Sequence, residues 1–101
     1  LDGGGTTAST IMYMEALKLK PGQITVSGTD ITPGSIDALK AGYLQATVEM
    51  MPYLQGYLTV LNLCYGKQCG FPGLYIDTTG AAVTPANLYL YTDPAYAGRR
   101  Y

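Results

Sequence analysis

The chain has 101 residues, a formal net charge of −1 and no histidine. Six basic residues against seven acidic ones leave no basic stripe that would neutralise phosphates, which argues against nucleic-acid binding. The lack of histidine removes the commonest general base and zinc ligand, and with it the usual Ser-His, Cys-His and His-zinc sites. The composition therefore predicts no metal or cofactor site, and no apolar run is long enough to cross a bilayer.

The first predicted element is a helix over roughly residues 7–20. Thr6 or Thr7 can serve as its N-cap, and Pro21-Gly22 stops it. Apolar residues recur through this stretch at helical spacing, namely Ala8, Ile11, Met12, Ala16 and Leu19.

A strand is predicted next, over the β-branched run at residues 24–27, and it ends at Gly28. Asp30 follows directly. In a parallel sheet this position places the Asp30 carboxylate just beyond the carboxyl end of a strand, where open α/β sheets bind ligands.

The second predicted helix has signals at both ends. Thr32 can cap it, Pro33 can open it, and it runs through Ala41 with Gly42 in the left-handed position after its end. Residues 44–48 form the next predicted strand, which is followed by Glu49 and Met50.

Pro52 begins the third predicted helix, which Gly66 ends. Its apolar stripe consists of Leu54, Leu58, Leu61 and Tyr65. Residues 75–76 and 81–83 read as extended pieces on either side of Thr79-Gly80. This αβαβα pattern with extended pieces is typical of doubly wound α/β architecture.

Four blocks of the sequence stand in an order that one family shares: residues 26–30, 35–48, 52–57 and 75–88. They contain the motifs Gly28-Thr29-Asp30, Ala41-Gly42-Tyr43-Leu44, Ala46-Thr47-Val48 and the helix opened by Pro52. In this order they resemble the C-terminal part of type I periplasmic binding proteins, the sugar receptors of bacterial ABC importers. Family members are several times longer and have two lobes, so the resemblance implies a C-terminal fragment of a Rossmann-like, doubly wound fold.

The resemblance also implies a division of the chain. Residues 1–51 would belong to the C-terminal lobe, residues 52–74 would form a helix that crosses into the N-terminal lobe, and residues 75–101 would be the closing hinge strands and tail. The hinge would pass through Met51-Pro52 and Thr79-Gly80. No export signal precedes Leu1, so any such signal is expected to have been removed or left out.

The implied function is non-enzymatic. The resemblance predicts a receptor, periplasmic or otherwise exported, that binds a small sugar-like or amphipathic ligand and presents it to an ABC permease. Three other functions stay open: a ligand receptor for a sensor kinase, the effector domain of a repressor with the same fold, and a fragment of a phosphate-loop sugar kinase.

Four ligand-binding residues follow from the resemblance. It implies that Asp30 accepts hydrogen bonds from sugar hydroxyls, although the same position suits a turn or capping residue. Met50 stands where the family has a hydrogen-bonding amide, and its thioether offers only a soft apolar surface. Glu49 can supply a polar group instead, but neighbours in a strand point to opposite faces, so only one of the two is expected to reach the ligand. Asp2 remains from an Asn-Asp loop, with Leu1 at the Asn position.

The segment Gly3-Gly4-Gly5-Thr6-Thr7-Ala8 carries the sugar-kinase alternative. It fits the G-x-G-x-x-A dinucleotide pattern and is similar to a phosphate loop at a helix start. The strand that should precede such a loop is absent from this sequence, and the match is short.

Cys64 and Cys69 are the only cysteines. If Gly66 reverses the chain after the third helix, the Cα atoms of the two cysteines come within bridging distance. In an exported protein, the oxidising compartment would then favour a disulfide. Free thiols are the alternative. The spacing is not the C-x-x-C of redox proteins, and two thiols without histidine do not make a zinc site.

Overall fold

The structure of the chain is a computed structural model that describes residues 3–96. It contains mixed helix and strand in the order α1 (Gly4–Ala8), α2 (Thr10–Ala16), β1 (Ser27–Thr29), α3 (Pro33–Ala41), β2 (Ala46–Val48), α4 (Pro52–Cys69), β3 (Ala82–Val83) and α5 (Tyr89–Thr92), followed by a 3₁₀ turn (Pro94–Tyr96).

The described strands form one small sheet in the order β1-β2-β3. β1 and β2 are parallel, with Ser27 opposite Ala46, and α3 is the crossover helix between them. β3 runs antiparallel to β2, with Thr47 opposite Val83. A helical crossover between parallel strands is the basic α/β unit, so the architecture is compatible with the predicted α/β class.

The hydrophobic core lies where α3, the sheet and the segment before α5 meet. Its buried members are Ala38, Leu39, Leu44, Val83 and Leu88. Partly buried apolar residues pack around this cluster from α2, β1 and α5, namely Ile11, Val26, Ile31, Ile36 and Tyr91.

The ends of α3 confirm the sequence signals. Thr32 Oγ1 accepts a hydrogen bond from the Ser35 N–H at 3.1 Å, and Ser35 Oγ accepts one from the Thr32 N–H at 2.8 Å, which completes a capping box. Pro33 is the first helical residue, and Gly42 takes the left-handed conformation with φ 79°.

The first predicted helix is wrong in its bounds. It starts at Gly4, breaks at Ser9 and ends at Ala16, with Gly3 rather than a threonine at the N-cap. Thr7 is buried, and its Oγ1 accepts a hydrogen bond from the Thr29 N–H at 3.2 Å. The Thr10 hydroxyl donates to the Thr7 carbonyl at 2.8 Å and competes there with the helical backbone.

The first strand also differs from its prediction, since pairing covers Ser27–Thr29 rather than residues 24–27. The Gln45 side chain accepts a hydrogen bond from the Val26 N–H at 2.7 Å, so a side chain replaces the backbone partner just before β1. Gly28 lies inside the strand, and Thr7 packs directly on it. A Cβ at Gly28 would lie 2.5 Å from Thr7 Cγ2.

α4 runs to Cys69, past the predicted end at Gly66, and Gly70 ends it with φ 66°. None of its residues is buried. Extensive packing between elements does not involve α4 in the part of the chain that the structure describes. Leu54, Leu58 and Leu61 keep intermediate exposure, and residues 71–76 return along this apolar face.

The later extended pieces are confirmed in one case of two. Residues 82–83 form β3, whereas residues 75–76 pair with no described strand, and Tyr75 is 97% exposed. Among residues 3–96, no helix combines the length and apolar character that crossing a membrane requires.

The predicted disulfide does not form in the structure, where Cys64 and Cys69 are both free and exposed. Both lie in α4 because the helix continues through Gly66. Five helical residues rise about 7.5 Å, so the two Cα atoms are too far apart to be bridged without moving the backbone. The prediction is wrong because it depended on a chain reversal at Gly66.

Candidate functional site

A cavity of about 440 Å³ lies at the carboxyl ends of the two parallel strands. It is lined by Asp30, Ile31, Thr32, Glu49, Met50, Met51, Pro52 and Tyr53. β1 ends at Thr29 and β2 at Val48, so the residues that follow each strand form the cavity wall. The structure thereby brings together three predicted ligand-binding residues and the first predicted hinge segment.

The backbone of Asp30 is held in the left-handed region, with φ 70°. Its N–H donates to the Val48 carbonyl at 2.8 Å, and its carbonyl accepts from Ser35 Oγ and Thr47 Oγ1, both at 3.1 Å. Aspartate tolerates this conformation better than most residues, and such conformations are stable only where neighbours fix them.

The carboxylate of Asp30 reaches the start of α1. Its Oδ2 accepts a hydrogen bond from the Gly4 N–H at 2.8 Å. Among the described residues, no donor is bonded to Oδ1, so this oxygen retains its capacity to accept. Asp30 therefore lines the cavity and also has the capping role that its position suggested.

Glu49 joins the cavity to α5. Its Oε2 accepts a hydrogen bond from the Tyr91 hydroxyl at 2.6 Å, and its carbonyl accepts one from the Gly80 N–H at 2.8 Å. Glu49 and Met50 both line the cavity, because β2 has already ended at Val48 and strand alternation does not extend to them.

The two predicted hinge segments are in contact. A Cβ at Gly80 would lie 2.9 Å from the Glu49 carbonyl oxygen and 3.2 Å from Met51 Cε. Met51 is the N-cap of α4 and has φ 48° and ψ 59°, which is strained for an unbranched apolar residue. Pro52 follows as the first helical residue. Two of the three left-handed non-glycine residues in the described chain, Asp30 and Met51, thus lie on this cavity.

The second hinge segment begins with a hydrogen-bonded turn. The Thr79 N–H donates to Asp77 Oδ1 at 2.8 Å. Hydrogen bonds from the Thr79 hydroxyl and then from its N–H lower the pKa of the Asp77 carboxyl, because they stabilise its ionised form.

Three cavity residues were not predicted from the sequence: Ile31, Thr32 and Tyr53. Tyr53 is 65% exposed, and its ring lies nearly parallel to that of Tyr57, with 6.4 Å between centroids and 6° between planes. The i, i+4 spacing after Pro52 was the available signal, since residues so spaced share one helix face.

The structure argues against a phosphate loop in the glycine-rich segment. α1 has only five residues, and the Gly4 N–H at its start already donates to a carboxylate. A negative charge there repels a phosphate. Asp2, the remaining predicted ligand residue, lies outside the described residues.

No group of three or more His, Cys, Asp or Glu side chains within residues 3–96 is arranged to hold a metal ion. The cavity lining combines two carboxylates, a threonine and a tyrosine with apolar side chains, which suits hydrogen bonding to a small polar ligand.

Comparison with known proteins gives a partial match. No protein-family model matches the chain. A stretch of 73 residues is 34% identical to the xylose/arabinose-binding protein XylF of Sulfolobus acidocaldarius, and the match covers 69% of this chain and 18% of that protein. The matched stretch corresponds to less than a fifth of the relative's length. The chain is thus similar in part to a protein that is named for binding sugars.

Proposed function

We propose that this chain is the C-terminal portion of a type I solute-binding receptor that binds a pentose-like sugar. The observation that carries the proposal is the cavity at the carboxyl ends of β1 and β2, whose lining includes Asp30, Glu49 and Met50. The partial similarity to a xylose/arabinose-binding protein supports the choice of ligand class.

The lining suits a ligand with both hydroxyl and C–H surfaces. Asp30 Oδ1 accepts a hydrogen bond from a ligand hydroxyl, a charge-assisted contact that contributes about 1.5–3 kcal/mol. Ile31, Met50 and Tyr53 offer apolar surface to the C–H face of the ring. A few polar groups in a mostly apolar cavity are the usual arrangement of a small-molecule site.

The proposed fold is the doubly wound receptor fold, with residues 1–51 in one lobe and residues 52–74 crossing to the other. The apolar face of α4 supports this division, because it is not buried by the described residues although it has the composition of a packed face. The greater length of the sugar-binding relative is consistent with a second lobe that covers it.

Ligand binding would close the two lobes through the paired hinge segments, Met51-Pro52 and Thr79-Gly80. The contact between Gly80 and residues 49–51 supports a shared axis, since the two connections lie side by side. Closure would follow from contacts that the ligand makes only in the closed state. The closed receptor would then present the sugar to an ABC permease at the outer face of the membrane.

Calorimetric titration of the natural protein that carries this chain tests the proposal, with D-xylose and L-arabinose as the probes. Asp30→Ala should weaken pentose binding about tenfold or more, because tenfold corresponds to about 1.4 kcal/mol. The control is Asp37→Ala, an exposed carboxylate on α3 outside the cavity, which should leave affinity unchanged. Absence of binding by the unaltered protein, or equal small effects of both substitutions, would refute the proposed site.

A further inference from the structure

We propose that Gly4 is the positioning residue for the Asp30 carboxylate, because its N–H holds the carboxylate in one orientation before the ligand arrives. The inference rests on the proposed function for its ligand and on the structure for its geometry. Gly4 belongs to the glycine-rich segment that the sugar-binding site itself does not use.

The contact between the two residues leaves no room for a side chain at position 4. The Gly4 N–H donates to Asp30 Oδ2 at 2.8 Å. A Cβ at Gly4 would lie 2.9 Å from Asp30 Oδ2, 3.0 Å from Asp30 Cβ and 3.3 Å from Thr32 Cγ2. The first separation is shorter than real Cβ contacts and the other two are tighter than most of them, so one of the partners must move.

α1 cannot easily move away, because it packs closely on Gly28 of the sheet and on Gly34 of α3. A Cβ at Gly28 would overlap the side chain of Thr7, and a Cβ at Gly34 would lie 2.8 Å from the Ala8 carbonyl oxygen. The Thr29 N–H also donates to Thr7 Oγ1 at 3.2 Å. These contacts fix the position of the Gly4 N–H relative to β1.

The backbone of Asp30 is fixed as well, by its hydrogen bonds to Val48, Ser35 and Thr47. When both backbones are held, the groups that can yield to an added methyl are the Asp30 carboxylate, which is the nearest, and the Thr32 side chain. A substitution at Gly4 therefore rotates the carboxylate and breaks its bond to the backbone N–H, without removing any group that lines the cavity.

The geometry also limits what the ligand can gain from Asp30. Oδ2 already accepts one hydrogen bond, from the Gly4 N–H, so the carboxylate has one acceptor site fewer for sugar hydroxyls. The hydrogen bond to Oδ2 holds the carboxylate in one rotamer before the ligand arrives, which lowers the entropy cost of binding.

The first test is Gly4→Ala in the natural protein, titrated with D-xylose by calorimetry. The dissociation constant should rise about tenfold, similar to the effect of losing one charge-assisted bond. Gly5→Ala is the matched control, because a Cβ at the neighbouring glycine has no atom within 4 Å. Equal affinities of the two variants would overturn the proposal.

A double-mutant cycle separates positioning from a general structural effect. If Gly4 acts through Asp30, Gly4→Ala combined with Asp30→Asn should bind D-xylose about as weakly as the weaker single variant. Losses that add in full would show that Gly4 affects the cavity independently of Asp30, and the positioning role would then be wrong.

Hydrogen exchange of the Gly4 amide, measured without ligand, makes the test independent of the sugar. The amide should exchange about tenfold faster in Asp30→Ala than in the unaltered protein, because its acceptor is gone. Unchanged exchange would refute the contact. Failure of the unaltered protein to bind either pentose would instead refute the proposed function, and the exchange experiment would still decide the Gly4–Asp30 contact.

Discussion

Two helices of this chain share a proline at the start and a left-handed glycine at the end, but they differ in burial. α3 begins at Pro33 and ends at a left-handed Gly42, and α4 begins at Pro52 and ends at a left-handed Gly70. α3 buries Ser35, Ala38 and Leu39, whereas α4 buries nothing over eighteen residues. The comparison teaches that terminal signals set where a helix starts and stops, while burial depends on the partners that the rest of the fold supplies.

The partners differ in a specific way. α3 packs on α1 and α2, and close contact with α1 is possible because Gly34 lies against Ala8. Within residues 3–96, the segment at residues 71–76 is what lies on the apolar face of α4. The exposed large side chains of α4 include Tyr53, Tyr57, Val60, Leu63 and Tyr65. Large apolar side chains exposed together on one helix are typical of a surface that another part of a protein covers.

The largest expected difference between the two helices is in the cost of truncating a leucine. Leu39→Ala on α3 removes a side chain that is 1% exposed, and it should lower the free energy of unfolding by about 2–5 kcal/mol through lost burial and a residual cavity. Leu63→Ala on α4, where the side chain is 69% exposed, should change it by less than about 0.5 kcal/mol.

Urea denaturation followed by circular dichroism measures both values. A cost above about 2 kcal/mol for Leu63→Ala would show that a covering partner buries this side chain in solution. The contrast between the helices would then be smaller than the structure indicates.

Substitutions of two glycines, one packed against Thr7 and one in α4, should change stability in opposite directions and by less than the leucine truncation on α3. Gly28→Ala places a methyl group against Thr7, and it should destabilise the chain by about 1–3 kcal/mol through overpacking. Gly56→Ala lies inside α4 with no atom within 4 Å of the new Cβ. It should stabilise the chain by about 0.5–1 kcal/mol, because alanine has the higher helix propensity. Thermal denaturation that shows the same sign for both would contradict the predicted difference in packing.

The exposed thiols of α4 provide a chemical test. Both Cys64 and Cys69 should react with iodoacetamide in the folded protein without reductant, and intact mass should show two adducts. The helix from Pro52 to Cys69 is the reason, since it keeps the two sulfurs on separate turns. A mass lower by two protons, with no adduct, would mean that the helix ends near Gly66 and that the disulfide forms.

The ends of α3 could be predicted from the sequence because a cap, a proline and a glycine act within a few residues of one another. The cavity could be predicted in part, since ligand sites in α/β folds lie at the carboxyl ends of parallel strands. The bounds of α1 could not, because the burial of Thr7 depends on Gly28 and Thr29 across the fold.

Two hydrogen bonds at the cavity could not be predicted from the sequence for the same reason. Tyr91 bonds to Glu49 across 42 residues, and Asp30 bonds to Gly4 across 26. Neither pair has a local pattern that would reveal it. The disulfide was predicted wrongly because Gly66, read as a stop, is accommodated inside a helix whose end is set by Gly70.

The smallest expected effect concerns Asp77, at the turn before the second hinge segment. Hydrogen bonds from Thr79, first from its hydroxyl and then from its N–H, hold the pKa of the Asp77 carboxyl below its ordinary value of 3.8. A pKa that is lower in the folded chain than in the unfolded chain adds stability that is complete above the ordinary value and is lost as the pH falls through the folded pKa. Because the carboxyl is fully exposed, the effect on unfolding should be minor, and nuclear magnetic resonance titration of Asp77 is the sensitive measurement.

Thr79→Val removes the hydroxyl and keeps the N–H, so the pKa of Asp77 should rise toward the ordinary value without reaching it. Thr78→Val is the control and should leave the pKa of Asp77 unchanged. An unchanged pKa in Thr79→Val would show that the hydroxyl does not bond to Asp77 in solution, and that the backbone N–H alone forms this turn.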